Sequence, residues 1–210
     1  MNIGTILTVL AIGAAVIVAG LLFVIAYNHL PISDKDEYDR VVFIPGIKTP
    51  PGALVLWKHF LDHHYPKAEK EFIEGRYHYR DIESVVDIQE RSVKALNKPG
   101  KTVVIVHSYG GLHIVAALQN NPELYENVVR IIAMAPAFDP TFNDLQASKD
   151  AIKFEHERVD VPMNVTCGVL DSTVPCKSTV LPGAKDNGKV FGGHSMFLIP
   201  QVFGGRKILQ

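Results

Sequence analysis

The sequence predicts an α/β fold, a mostly parallel sheet of about six strands with helices on both faces, preceded by one N-terminal transmembrane helix. Three observations predict it. Short apolar runs alternate with segments of helical spacing along most of the chain. An apolar stretch without charge lies near the N-terminus. The length of 210 residues is sufficient for one domain with a sizeable core.

The N-terminal stretch, residues 3–27, contains no charged side chain. At about 1.5 Å per residue, a helix of this length exceeds the roughly 30 Å of a bilayer's hydrocarbon. The alternative is a cleaved signal peptide, with Val24 and Ala26 as the small residues before the cleavage site. The missing basic residues ahead of the run, and its length, favour a retained helix. We therefore predict a transmembrane anchor over residues 1–29.

A polar linker follows over residues 30–40, and a globular domain occupies residues 41–210. Lys35 and Arg40 follow the apolar run, whereas no basic residue precedes it. Two basic residues only weakly favour a cytoplasmic domain under the positive-inside rule. The sequence therefore leaves the side of the membrane open, and it does not indicate an oligomeric state.

The elements of the globular domain are read from apolar periodicity and from turn residues. The predicted strands are 41–44, 72–79, 102–106, 128–133, 163–169 and 190–191, and the predicted helices are 53–64, 82–96, 109–120 and 196–203. Alternation of this kind implies parallel strands, whose carboxyl ends are where ligands bind.

Charge excludes one class of partner. The 21 Lys and Arg residues are balanced by 22 Asp and Glu residues, which gives a formal net charge of -1. The sequence therefore shows no basic surface of the kind that nucleic acids require.

Two further patterns, a pair of histidines and a pair of cysteines, do not by themselves indicate a functional site. His59 and His63 lie four residues apart on a predicted helix, as zinc ligands do, but no third ligand accompanies them, and we predict no metal site. Cys167 and Cys176 are the only cysteines. They could form a disulfide in an oxidising compartment or remain thiols in a reducing one, and the sequence leaves both states open.

The most informative segment, residues 103–111, is an apolar strand that leads directly into Ser108, Gly110 and Gly111, and then into a helix. A strand, a sharp turn bearing serine and a helix form a nucleophile elbow, in which the turn exposes the hydroxyl. The first glycine of the usual Gly-x-Ser-x-Gly pattern is replaced by Val106.

Partners for this serine follow later in the chain. Asp171 lies in the loop after the predicted strand 163–169, and His194 lies in a loop that begins with two glycines. A serine hydroxyl needs a base to take its proton and a third group to orient the base. The order Ser, Asp, His occurs in one arrangement of this triad.

From about residue 41 to its C-terminus the chain resembles the α/β-hydrolase superfamily. The resemblance rests on three loops in the right order, Val106-His107-Ser108-Tyr109-Gly110-Gly111, the Gly-x-x-Asp-x-x-Val-Pro loop over 168–175, and Gly193-His194-Ser195. It implies a minimal α/β-hydrolase fold. It also implies Ser108 as the nucleophile, His194 as general base and acid, and Asp171 as the carboxylate that orients the histidine.

The resemblance also implies an oxyanion hole made of two backbone N–H groups. One belongs to Tyr109, the residue after the nucleophile, and the other to Ile47. In the family the second donor follows a His-Gly pair, but here Pro45 replaces the histidine while Gly46 is kept.

The resemblance also suggests roles for two other residues and one segment. His107 is expected to be a buried structural neighbour of the serine. Asp139 is the alternative acid, since some members carry the carboxylate at the end of that strand. Residues 138–157 lie where the family inserts a cap, and their number permits only a small one.

The implied function is a membrane-anchored serine hydrolase that cleaves carboxylic esters without a metal or organic cofactor. The anchor favours lipid-like acyl esters, by co-localisation alone. A peptidase or thioesterase with the same triad is an alternative. So is a non-enzymatic membrane-tethered module of the same fold, which Val106 and Pro45 favour because both depart from the motifs.

Overall fold

The structure is a computed structural model, and it describes residues 3–28, 30, 37–75, 77–139, 145–200 and 205–209, without the side chains of residues 3, 4 and 7–9. Part of the predicted linker (31–36) and part of the predicted cap (140–144) lie outside the described residues.

The described residues form a six-stranded sheet in which every strand pair is parallel. Its strand order is β2-β1-β3-β4-β5-β6. The strands are β1 Arg40–Ile44, β2 Glu69–Phe72, β3 Thr102–His107, β4 Val128–Met134, β5 Met163–Gly168 and β6 Lys185–Val190. The predicted fold class, with its parallel sheet and its N-terminal apolar helix, is confirmed.

Helices cover both faces of the sheet. They are α1 Ile3–Asn28, α2 Pro51–His64, α3 Ile82–Leu96, α4 Gly110–Asn120, α5 Gln146–Ala151 and α6 Gly205–Leu209, and 3₁₀ turns occupy Pro122–Glu126, Cys176–Thr179 and His194–Leu198. Side chains alternate between the two faces of a strand. Val104 and Val106 of β3 therefore pack in the cluster that contains α3 and α4, while Val103 and Ile105 pack in the cluster that contains α2.

Two predicted strands are displaced along the chain. The second strand is Glu69–Phe72 rather than 72–79, and the last is Lys185–Val190 rather than 190–191. Both are edge strands with polar sequences, so they lack the apolar run that marks a buried strand. In β2 the carboxylate of Glu71 accepts a hydrogen bond from the buried Arg40 guanidinium, 2.7 Å away.

The C-terminal helix is also corrected. The predicted helix 196–203 is in fact a 3₁₀ turn over His194–Leu198, and residues 201–204 of that prediction lie outside the described residues. The unpredicted α6 then covers the sheet with Ile208 and Leu209.

The end of α1 is attached to the globular domain. The carbonyl of Asn28 accepts a hydrogen bond from Nε2 of His64 at 2.8 Å, and its side-chain oxygen accepts one from the backbone N–H of Arg206 at 3.1 Å. The Arg206 guanidinium lies 4.9 Å from the Tyr27 ring centroid. The segment Leu10–Asn28 is long and apolar enough to cross a membrane, a test that a signal sequence also passes.

Candidate active site

The turn after β3 has the backbone geometry of a nucleophile elbow. Ser108 has φ +54°, a left-handed conformation that non-glycine residues adopt rarely and at an energetic cost. The turn is held by two hydrogen bonds, from Ser108 N to the Met134 carbonyl (2.9 Å) and from Gly111 N to the Ser108 carbonyl (3.1 Å). This backbone carries the Ser108 side chain at the carboxyl end of the sheet, where α4 begins.

Val106 does not prevent this turn from forming. Its side chain is fully buried in the core cluster on the α3 and α4 face. The close approach in the elbow falls on Gly110, where a Cβ atom would collide with the carbonyl oxygen of Ile44. The second glycine of the motif is therefore required sterically, whereas the first position has room for valine.

Ser108, His194 and Asp171 form a continuous hydrogen-bonded line. Oγ of Ser108 lies 2.8 Å from Nε2 of His194, and Nδ1 of His194 lies 2.7 Å from Oδ2 of Asp171. In this arrangement Nδ1–H donates to the carboxylate, and Nε2 is left to accept the serine proton. The Asp171 side chain is fully buried, while the His194 side chain keeps 16% exposure.

Backbone amides of its own loop hold the Asp171 carboxylate. Its second oxygen, Oδ1, accepts hydrogen bonds from the N–H groups of Thr173 (2.9 Å) and Val174 (2.8 Å). One carboxylate oxygen is thus fixed by the loop, which directs the other at the histidine. Asp139, the alternative acid, instead accepts a hydrogen bond from the Ser178 hydroxyl at 3.1 Å.

A disulfide closes the acid loop. Cys167, in β5, is bonded to Cys176, at the start of the next 3₁₀ turn, and Asp171 lies between them. The sequence left this pairing open. Closing a loop of this size stabilises a fold by roughly 2–3 kcal/mol in the chain-entropy account. The bond therefore restrains the segment that carries the carboxylate.

The two predicted oxyanion donors flank the serine. Ile47, Tyr109 and Ser108 line one cavity. Within the described part of the chain, neither the Ile47 nor the Tyr109 backbone N–H donates to a protein acceptor. A Cβ at position 46 would lie 2.7 Å from the Cβ of Ser108, so Gly46 lets this loop approach the serine.

Tyr77 holds the loop that presents Ile47. Its buried hydroxyl donates to the carbonyl of Pro45 at 3.0 Å, and its backbone carbonyl accepts from Lys48 N at 3.3 Å. Burial raises the pKa of Tyr77 well above its usual value, so the hydroxyl keeps its proton and remains a donor. This role was not identified from the sequence, because Tyr77 lay in a predicted strand, 72–79, and no motif marks the residue.

Replacing Tyr77 by phenylalanine tests this support. We expect kcat for an ester to fall by about tenfold with KM nearly unchanged, because a displaced donor weakens binding of the transition state more than binding of the substrate. Tyr125→Phe, in the 3₁₀ turn after α4, is the matched control and leaves kcat unchanged. An effect on KM alone would contradict a positioning role for Tyr77.

Known structures share this architecture. A metagenomic carboxyl esterase is 16% identical, with 86% of this chain and 75% of that chain covered and a TM-score of 0.55. Mouse alpha/beta hydrolase domain-containing protein 10 is 17% identical, with 74% and 82% covered and a TM-score of 0.53. A YdeN-like hydrolase from Pectobacterium atrosepticum is 16% identical, with 80% and 81% covered and a TM-score of 0.50.

The chain has the α/β-hydrolase fold. No protein-family model matches it, and no curated protein sequence does. An identity this low shows a common fold and does not transfer an activity. What the α/β-hydrolase fold adds is the location of the site, since the loops bearing Ser108, Asp171 and His194 all follow the carboxyl ends of strands in the sheet.

Two buried histidines lie close to this candidate site. His107 packs against the His194 ring at 4.8 Å between centroids, and its Nε2 donates to the His194 carbonyl at 3.2 Å. Burial, reinforced by the charge of His194, lowers the pKa of His107 to about 3. Burial alone lowers the pKa of His113, next to Tyr109, to about 3. Both imidazoles are therefore neutral at physiological pH.

These pKa values predict a loss of stability in acid. Between pH 3 and 6.5 the unfolded chain binds protons at His107 and His113 that the folded chain does not. The free energy of unfolding therefore falls as pH drops through 6.5, by up to about 1.4 kcal/mol per pH unit for each histidine. Denaturant titrations between about pH 5 and 6.5, above the carboxyl range, measure this slope.

The matched variant is His113→Asn, which removes one of the two groups. Its unfolding free energy should change less steeply with pH, by up to about 1.4 kcal/mol per pH unit, because one fewer proton is bound on unfolding. An unchanged slope would show that His113 is protonated in the folded protein.

Metal ligands are not brought together among the described residues. No group of three or more His, Cys, Asp or Glu side chains there could hold a metal ion. His59, one of the two histidines with zinc-like spacing, is exposed on α2.

Proposed function

We propose that this protein is a serine hydrolase that cleaves carboxylic esters, with Ser108 as nucleophile, His194 as general base and acid, and Asp171 as orienting carboxylate. The observation that carries the proposal is the hydrogen-bonded line from Ser108 Oγ through the His194 ring to the buried Asp171. The left-handed backbone of Ser108 supports it, because such strain persists where the surrounding structure enforces it.

Acylation begins when Ser108 Oγ attacks the ester carbonyl carbon and its proton passes to Nε2 of His194. The carbonyl oxygen becomes an oxyanion, and the backbone N–H groups of Ile47 and Tyr109 would stabilise it. Each such donor contributes roughly 3–4 kcal/mol to the transition state. The tetrahedral intermediate collapses, His194 gives the proton to the leaving alcohol, and the acyl group stays on Ser108.

Deacylation repeats these steps with water. His194 takes a proton from the water, whose oxygen attacks the acyl carbon. Collapse of the second intermediate releases the carboxylic acid and returns the proton to Ser108. Every proton is transferred by His194 and the oxyanion is held by amides, so the proposed reaction uses no metal or organic cofactor.

We propose residues 1–29 as a single-pass membrane anchor, 30–40 as a linker whose last residue, Arg40, already begins β1, and 41–210 as the catalytic domain. The contacts of Asn28 with His64 and Arg206 support retention of the helix, since they join its end to the domain. The disulfide supports a catalytic domain on an oxidising side of the membrane, against the weak cytoplasmic indication of Lys35 and Arg40.

A fluorophosphonate probe tests the activity, because it labels only a serine that is activated as a nucleophile. We expect the purified full-length protein to be labelled and to hydrolyse p-nitrophenyl esters. Absence of both labelling and hydrolysis would overturn the proposal and leave the non-enzymatic module. Parallel assays with amide and thioester analogues separate an esterase from a peptidase or a thioesterase.

A further inference from the structure

The site lies at one defined edge of the sheet. Ser108, Asp171 and His194 follow the ends of β3, β5 and β6. Because all six strands are parallel, these ends share one edge, called the carboxyl edge from here on. A substrate must reach the protein there.

The helix α1, the proposed membrane anchor, is attached at the opposite edge. α2 begins after the loop that leaves the carboxyl end of β1, and it runs back to His64. The ring of Tyr65, the next residue, lies 5.9 Å from the ring of Tyr38, which precedes β1. His64 is therefore at the amino edge of the sheet, and it is His64 that holds the carbonyl of Asn28.

From this attachment α1 extends away from the domain. Its side chains from residue 10 to 24 are all exposed, so the helix does not fold back along the sheet. Arg206 binds the Asn28 side chain and covers the Tyr27 ring, which fixes the helix end at this position. A strand of six residues spans about 20 Å, so the serine lies about that far from the attachment point.

The cavity beside the serine is small. Its volume is ≈ 280 Å³, below the roughly 300–1,000 Å³ of sites that take drug-sized ligands. Apolar side chains supply much of its lining, among them Ile47, Leu145 and Val174. Such a cavity suits a short acyl chain.

Two exposed apolar side chains lie in or beside the loops of the site. Leu170 is 56% exposed and Phe191 is 75% exposed, next to the acid and histidine loops. With α1 attached at the amino edge, these side chains belong to loops at the end of the sheet away from the proposed anchor. They are left to contact a substrate that arrives from water.

Resting on the proposed hydrolase function and on the proposed membrane anchor, we propose that the substrate is a short-chain ester taken from the aqueous phase, and not an acyl lipid held in the bilayer. The attachment at the amino edge favours approach from the water, and the small cavity beside the serine favours a short acyl group. This replaces the expectation of lipid-like esters, which rested on co-localisation with the membrane alone.

The test uses the full-length protein reconstituted in phosphatidylcholine vesicles. The probes are 4-methylumbelliferyl butyrate, added to the water, and 4-methylumbelliferyl oleate, dissolved in the vesicle bilayer. They release the same fluorophore and differ in acyl length and location. We expect the butyrate to be hydrolysed at least about 100-fold faster.

Three outcomes decide the proposal. Butyrate turnover without comparable oleate turnover supports it. Oleate turnover within about tenfold of the butyrate rate overturns it, as does fluorophosphonate labelling of Ser108 without butyrate turnover. If neither ester is cleaved and Ser108 is not labelled, the hydrolase function itself fails, which is a separate result.

Discussion

Ser108→Ala removes ester hydrolysis, with an expected loss in kcat of about 10⁴-fold or more. The variant lacks the oxygen that forms the acyl-enzyme, and His194 has no hydroxyl to deprotonate. The turn itself should survive, because it is held by the backbone of Ser108 and Gly111 rather than by the serine hydroxyl. The measurement is kcat with a p-nitrophenyl ester, together with fluorophosphonate labelling and the unfolding temperature.

Ser172→Ala is the matched control. Ser172 is an exposed serine next to Asp171, and its side chain has no place in the proposed reaction. This variant should keep both activity and labelling. Hydrolysis that survives in Ser108→Ala, or labelling that disappears in Ser172→Ala, would remove Ser108 from the role of nucleophile.

Asp171→Asn should lower kcat by about 10⁴-fold, although it is nearly isosteric. Oδ1 of Asp171 accepts from two loop amides, so the asparagine oxygen is retained there and its NH₂ group turns toward His194. A donor facing Nδ1 forces the imidazole proton onto Nε2. Nε2 then cannot accept the proton of Ser108. The measurement is kcat, with binding of the ester checked through KM.

The carboxylate that sequence analysis left as the alternative acid provides the control. Asp139→Asn should keep kcat within about threefold, because the Asp139 side chain bonds Ser178 while Nδ1 of His194 is occupied by Asp171. A large loss in Asp139→Asn with little effect in Asp171→Asn would reverse the assignment of the acid.

Interior elements were predictable because their burial leaves a pattern. β3 is buried at every residue, and its centre, residues 103–106, is an uninterrupted apolar run, as expected for a strand covered on both faces. α3 has its predicted bounds, with Asp81 accepting a hydrogen bond from Ser84 N at its start. The edge strands β2 and β6 were displaced in the prediction because half-exposed polar strands have no such run.

The site was predictable where motifs mark it and not elsewhere. Serine, aspartate and histidine were found by their loops, and the structure places the three within hydrogen-bonding reach. Tyr77 was missed, since its hydroxyl meets the carbonyl of Pro45, 32 positions earlier in the chain, only once the protein is folded. The attachment of α1 to the domain could not be predicted from the sequence either, because it joins Asn28 to Arg206, 178 positions later.

The elbow also bears on how such chains are found. A pattern search that demands glycine two residues before the serine would pass over this protein, although its turn forms with Val106 in that place. The steric demand lies at Gly110, where any side chain meets the carbonyl of Ile44. A search that fixes the serine and the glycine two residues after it, and leaves the earlier position free, would retain distant sequences with this turn.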